Sequence, residues 1–317
     1  VRTPTTPRPV RVPGPDDLDR AWRAVSRRLA PTPLVPSGLA PGALLKLETF
    51  QPTGAFKVRG ALAAVAALPA GEPAVTASAG NHGLGMAFAA AETGADVTVV
   101  VSTRASRAKV DRIGGFPVRL VQHGTTYDEA EAHALTLPGR YVSPYNDPAV
   151  IAGQGTIGRE LDAQAEGPLT VVAPVGGGGL AAGLCLWARG RGDVRIVGVE
   201  SAVSRGVSAS VEAGRVVDVP VGDTVADGLP GNLEPGCVTP GLIRGADLTA
   251  VTDAEIRTAL RWLLREHGLV AEGAGAAGIA AVLAGRVEIA GRAVVVVSGR
   301  NITIPAYTAA LGTGNGD

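Results

Sequence analysis

Short apolar, β-branched runs alternate along this chain with alanine-rich or amphipathic stretches. The runs at 43–48 (ALLKLE), 73–78 (PAVTAS), 96–101 (DVTVVV), 116–121 (FPVRLV), 169–175 (LTVVAPV), 195–200 (RIVGVE) and 292–299 (RAVVVVSG) predict strands. Residues 55–68, 83–92, 105–113, 127–135 and a segment from four consecutive glycines through Trp187 predict helices. Most strand runs are apolar throughout, which fits strands covered on both faces. That pattern points to an α/β protein with mostly parallel sheets. There is no internal repeat. Proline-rich segments at 69–73 and 143–148 are the natural hinges. The expected division is a disordered lead (1–15), a large domain from two stretches (16–72 and 147–312), a small inserted domain (73–146) and a tail (313–317).

Composition narrows the function. The chain has 317 residues, 46% hydrophobic and 18% charged, with a formal net charge of zero. Such a chain builds a substantial core, and with a net charge of zero and no long basic run neither nucleic acid nor an anionic membrane is the expected partner. Its apolar runs are too short for a membrane helix. The lead is rich in Pro, Arg and Thr and does not read as a signal peptide. Cys185 and Cys237 have no metal-ligand spacing, and a cytoplasmic location is the expectation.

Lysine is scarce. Lys46, Lys57 and Lys109 are the only three among 29 basic residues. A guanidinium stays protonated, whereas an amine can lose its proton and attack a carbonyl. Lys57, just past the turn in QPTGAFKVRGA, is therefore a candidate nucleophile, the alternative being a surface lysine.

Three loops at predicted strand ends carry further chemistry. PVGGGGLAAG (174–183) puts Gly176, Gly177, Gly178 and Gly179 between a strand and a helix. Backbone N–H groups and a helix N-terminus there suit a phosphate, although glycines can also simply make a tight turn. SAGNHGLG (78–85) gathers Ser78, Asn81 and His82 at a helix start, suited to a substrate carboxylate or to plain N-capping. SGRN (298–301) places Ser298 after another strand. Ligands of open α/β sheets collect at such ends. A phosphate site, a carboxylate site and an unusual lysine together suggest pyridoxal phosphate and an amino-acid substrate.

With these motifs in order, joined by YDEA (127–130), IAGQGTIGREL (151–161), VGVE (197–200) and TVADGL (224–229), the chain resembles the threonine/serine dehydratases. These ammonia-lyases are fold type II, tryptophan-synthase-β-like pyridoxal-phosphate enzymes, and the likeness runs from about Leu29 to Ile302. It implies two open α/β domains with the active site in the cleft between them, and a homodimer. It also implies elimination of water from a β-hydroxy-α-amino acid to give an α-keto acid and ammonia. Lys57 would hold the cofactor covalently and then remove the Cα proton. The four glycines would hold the phosphate. Asn81 would meet the ring hydroxyl, Ser298 the ring nitrogen, and Phe56 and Gly228 the ring itself. Ser78, Asn81 and His82 would surround the substrate carboxylate.

Three departures from that pattern matter. Ala79 stands where serine-racemase relatives carry a second serine. Glu200 matches a metal-binding glutamate in some relatives, yet no second carboxylate follows in SAVSRG (201–206), so a divalent or monovalent cation stays open. Arg300 replaces a glycine and could pair with a distal carboxylate, as on a hydroxyaspartate. The chain stops soon after Asn301, so no regulatory domain is expected. The rival readings are a specialised hydroxy-amino acid ammonia-lyase, a serine racemase, a β-replacement synthase and a non-catalytic binder of the cofactor or an amino acid.

Overall fold

The computed structural model describes residues 8–312, so residues 1–7 of the expected lead and the expected tail lie outside the described residues. Strands are β1 (Leu34–Pro36), β2 (Leu44–Leu47), β3 (Ala74–Ala77), β4 (Val97–Val101), β5 (Arg119–Gln122), β6 (Arg140–Tyr141), β7 (Leu169–Pro174), β8 (Val194–Ser201), β9 (Asp247–Val251) and β10 (Arg292–Val297). Helices are α1 (Pro15–Ser26), α2 (Lys57–Ala66), α3 (Asn81–Thr93), α4 (Arg107–Gly114), α5 (Tyr127–Ala134), α6 (Pro148–Gln164), α7 (Gly179–Ala188), α8 (Gly206–Ala213), α9 (Thr239–Ile243), α10 (Asp253–His267), α11 (Gly273–Leu283) and α12 (Ile304–Leu311).

Two sheets result. One has six strands in the order β1-β2-β10-β7-β8-β9, the other four in the order β5-β4-β3-β6. Every pairing is parallel except β1 with β2, where Val35 faces Leu45. The central strands β7 and β4 are buried at every residue, as continuous apolar runs require of strands covered on both faces. The second sheet is built from residues 74–141, and the first from strands on either side of that stretch.

Helices α2, α6 and α7 pack almost backbone to backbone, and glycine makes that possible. A Cβ on Gly153 would stand 2.6 Å from the Gly60 Cα, and one on Gly155 2.6 Å from the Gly183 carbonyl oxygen. This holds α2, which begins at Lys57, close against α6.

Beneath α2 lies a buried polar network. Arg59 donates from Nε to Glu48 (2.8 Å) and from Nη1 to Glu160 (2.6 Å), and Lys46 Nζ meets Glu160 at 2.5 Å. Two carboxylates and two cations balance, as burial of charge demands. Burial pushes the Glu48 carboxyl up, but the Arg59 guanidinium outweighs it and holds the group below its ordinary range. Lys46 is thus a structural lysine.

Some boundaries differ from expectation. The strand expected at 116–121 begins only at Arg119, because Phe116 turns to pack edge-on against Phe88, with ring centroids 6.4 Å apart. The helix expected at 105–113 starts at Arg107, after an extended Ser106. The described part of the lead, from residue 8, is tied down: Arg8 meets Glu234 at 2.6 Å and Arg11 meets Asp17 at 2.6 Å.

Candidate active site

Lys57 opens α2. The residues before it are lashed to the end of β10, where Phe56 N–H donates to the Ser298 carbonyl at 3.0 Å and Ala55 bridges to Gly299. The Lys57 amine enters a cavity of about 700 Å³ that lies between the two sheets and donates to the Pro144 carbonyl at 2.7 Å. Burial lowers its pKa to about 8, against an opposing pull from Glu272.

Across the cavity, β7 runs into the four glycines. Gly178 has φ +85°, and a Cβ there would meet Thr239 Oγ1 at 2.8 Å. A Cβ on Gly176 would meet the Gly228 carbonyl at 2.8 Å, and one on Gly179 the Tyr145 Cα at 2.9 Å. Thr239 donates to the Gly177 carbonyl at 2.8 Å and turns that peptide. The result is a concave strip of backbone at the N-terminus of α7. Among the described residues lining this cavity, Lys57 is the only lysine or arginine.

The third wall is the loop after β3. Ser78 Oγ accepts from Gly80 N–H at 3.2 Å, and both residues line the cavity with Asn81 and His82. His82 is buried, and burial, helped by the Lys57 charge, lowers its pKa to about 3, so the imidazole is neutral. Its Nε2 lies 3.4 Å from the Val142 carbonyl, and Nδ1 has no protein partner among the described residues. Ser298 is buried at the cavity wall, with Phe56 and Gly228. Lys57, Phe56, Ser78, Asn81, His82, the four glycines, Gly228 and Ser298 thus share one cavity.

Two expected residues do not join them. Arg300 is exposed and outside the cavity lining, and its backbone N–H donates to the Gly54 carbonyl at 2.9 Å. Glu200 is buried, but its carboxylate accepts from Val207 N–H (2.9 Å), Ser208 N–H (3.2 Å) and the Ser208 hydroxyl, closing the start of α8. No cluster of three or more His, Cys, Asp or Glu side chains suited to a metal occurs among the described residues.

Sequence reasoning missed Glu272 and Asn301. Glu272 precedes α11 and lines the cavity; burial, with the Asp227 charge, raises its pKa to about 7. It accepts from Asn81 Nδ2 at 2.7 Å and from Asn301 N–H at 3.1 Å. A Cβ on Gly299 would lie 2.5 Å from its Oε1, so glycine at that position lets the carboxylate in. The available signal was an acid directly before a Gly/Ala-rich helix, EGAGAAG at 272–278.

Comparison with known proteins places this geometry. Residues 25–299 match the family model described as pyridoxal-phosphate dependent enzyme. The chain is 38% identical over 271 residues to the L-threonine ammonia-lyase of Thermotoga maritima, covering 82% of this chain and 67% of that protein. It is 35% identical over 273 residues to the catabolic L-threonine dehydratase of Escherichia coli, covering 82% and 83%. Among solved structures, the threonine deaminase of T.th. superposes with a TM-score of 0.84 at 33% identity, covering 92% of this chain and 99% of that one. Maize serine racemase superposes with a TM-score of 0.86 at 26% identity, covering 93% and 95%.

Proposed function

The chain belongs to the pyridoxal-phosphate dependent enzymes, and on that premise we propose that it is a dehydratase of the L-threonine/L-serine type. It releases water and ammonia from a β-hydroxy-α-amino acid and leaves an α-keto acid. The observation that carries this reading is that an amine with a pKa of about 8 faces a cation-free glycine cradle across one cavity.

The residues present fit the cofactor. The cradle at 176–179 is crowded enough that added Cβ atoms would strike Tyr145, Thr239 and Gly228, so its glycines leave backbone N–H groups free to meet a phosphate. Gly176 to Gly179 would hold that phosphate, Asn81 and Ser298 the polar edge of the ring, and Phe56 and Gly228 its faces. When bound, the cofactor supplies an electron sink that acidifies the substrate Cα–H.

The chain's own groups do the rest. Lys57, its affinity for protons reduced by burial, takes the Cα proton. The loop at 78–82 holds the substrate carboxylate through peptide N–H groups, that of Asn81 among them, and the Ser78 hydroxyl. His82 takes part as a neutral polar group. The Ser298 hydroxyl is too weak an acid to protonate a ring nitrogen firmly, which favours prompt loss of a leaving group over a long-lived carbanion. We assign 16–72 and 147–312 to a large domain and 73–146 to a small one whose approach excludes water from the cleft. We propose a homodimer, as the resemblance implies, and the free thiols of Cys185 and Cys237 agree with a reducing cytoplasm.

Racemisation is the second reading, favoured by the likeness to maize serine racemase. Ala79 weighs against it, because no hydroxyl there can return a proton to the opposite face of Cα. The test is α-keto acid and ammonia release by cofactor-loaded protein from L-serine, L-threonine and both diastereomers of 3-hydroxyaspartate, with chiral analysis of residual serine. Release from serine or threonine supports the proposal. Enantiomer formation without keto acid would replace it with racemisation, and silence on every substrate would reject it.

A further inference from the structure

Four side chains form a hydrogen-bonded series that crosses the cleft three times. Arg112 Nη1 donates to Asn301 Oδ1 at 3.0 Å. Asn301 Nδ2 donates to Asn81 Oδ1 at 2.6 Å and to the Thr53 carbonyl at 2.8 Å. Asn81 Nδ2 donates to Glu272 Oε1 at 2.7 Å. Arg112 (α4) and Asn81 (α3) stand on helices of the four-stranded sheet, whereas Asn301 follows β10 and Glu272 precedes α11 on the six-stranded side.

The two ends give the series a direction. A guanidinium only donates, and an ionised carboxylate only accepts. With Arg112 at one end, the Asn301 oxygen must face it, and its NH₂ must face Asn81. With Glu272 at the other end, the Asn81 NH₂ must face the carboxylate. A flipped Asn81 would set its oxygen against Glu272 and its NH₂ against the Asn301 NH₂, two repulsive contacts at once. One Asn81 N–H is spent on Glu272. The second is left for the cavity that Asn81 lines.

We propose that Arg112, Asn301 and Glu272 act as a directional relay that fixes the Asn81 amide with an N–H toward the cavity, which makes Glu272 a positioning residue for an acceptor oxygen on the cofactor ring. The proposal rests on the reading of this cavity as the pyridoxal-phosphate site. Because the links alternate between the two sides of the cleft, the Asn81 donor is set only when those sides are in register. Protonated Glu272 can donate as well as accept, so one of the two contacts that forbid the flip is removed and the Asn81 amide is held from the Arg112 end alone. The charges facing Glu272 are Lys57 on α2, Lys109 on α4 and Asp227 on the loop before Gly228. With its pKa raised to about 7 by burial first, Glu272 changes state near neutrality.

The test is pyridoxal-phosphate titration of apoprotein, followed by visible absorbance from pH 6 to 9, for the parent, Glu272→Gln, Glu272→Asp and Arg112→Met. One hydrogen bond of this kind corresponds to roughly tenfold in affinity. Glu272→Gln should weaken binding about tenfold and flatten a pH-dependent change in the bound cofactor's spectrum near 7. Glu272→Asp, which keeps an acceptor-only end, should restore part of both. Arg112→Met, at the far end, should weaken binding about threefold. Parent-like affinity and spectrum in Glu272→Gln, even with a lowered melting temperature, would overturn the relay alone. A parent that acquires no visible band would overturn the site reading and the relay with it.

Discussion

The amine of Lys57 is held by the carbonyl of Pro144, 2.7 Å away, in the proline-rich segment that follows the four-stranded sheet. A peptide carbonyl accepts from an amine or an ammonium alike, so it orients Lys57 without fixing its charge. Burial then decides, and it moves the pKa down to about 8. The free-amine fraction grows as pH rises through that value. Capture of pyridoxal phosphate by apoprotein should therefore accelerate with a midpoint at about 8, where an ordinary lysine would give about 10.4. Stopped-flow absorbance across pH checks this. Lys57→Ala should show neither the covalent band nor turnover.

Gly178→Ala tests the cradle. The position has φ +85°, and the new methyl would sit 2.8 Å from Thr239 Oγ1. Left-handed backbone costs a non-glycine residue roughly 1–2 kcal/mol before any clash. The expected outcome is cofactor affinity at least about tenfold weaker, read by fluorescence titration, with the far-UV circular dichroism spectrum retained.

Arg59→Met tests the polar network under α2. It strips the guanidinium from Glu48 and Glu160 while leaving both carboxylates buried. Breaking such a network from one side costs about 3–5 kcal/mol. Urea unfolding of the apoprotein should show a loss of that size, and a change below about 1 kcal/mol would mean the carboxylates find other partners.

Arg300→Ala should leave turnover of L-serine and L-threonine within about twofold of the parent, as surface substitutions usually do. The side chain is exposed and outside the cavity, so a large loss of kcat/KM would show that the cleft closes differently with substrate bound.

The strand–loop–helix units were legible because apolar runs ending in glycine or serine clusters have few other uses. β7 with its glycines, β3 with Ser78 and Asn81, and β10 with Ser298 all read directly. What direction a side chain takes after a strand did not read. Ser298 faces the cavity, but the chain turns at once, with Ile302 N–H donating to the Arg300 carbonyl at 2.8 Å, and Arg300 is left outside. Glu272 was missed because a single acid before an alanine-rich helix has no periodicity and resembles any helix start. Its hydrogen-bond partners Asn81 and Asn301 lie 191 and 29 residues away along the chain. Glu200 matched a metal-binding glutamate of some relatives although no second carboxylate follows it in SAVSRG, and in the fold its carboxylate closes the start of α8.

The glycine cradle has a consequence for the medium in which the protein works. A phosphate gripped by arginines must displace the counter-ions of those arginines, and dissolved salt competes for the same place. Peptide N–H groups carry no counter-ion, and among the described residues the only lysine or arginine lining this cavity is Lys57, the amine proposed to bond the cofactor itself. Occupancy should accordingly be indifferent to ionic strength, shifting by less than about twofold up to roughly 0.5 M potassium chloride in equilibrium dialysis. A holoenzyme built this way keeps its cofactor through swings in electrolyte that would strip a site assembled from surface charge.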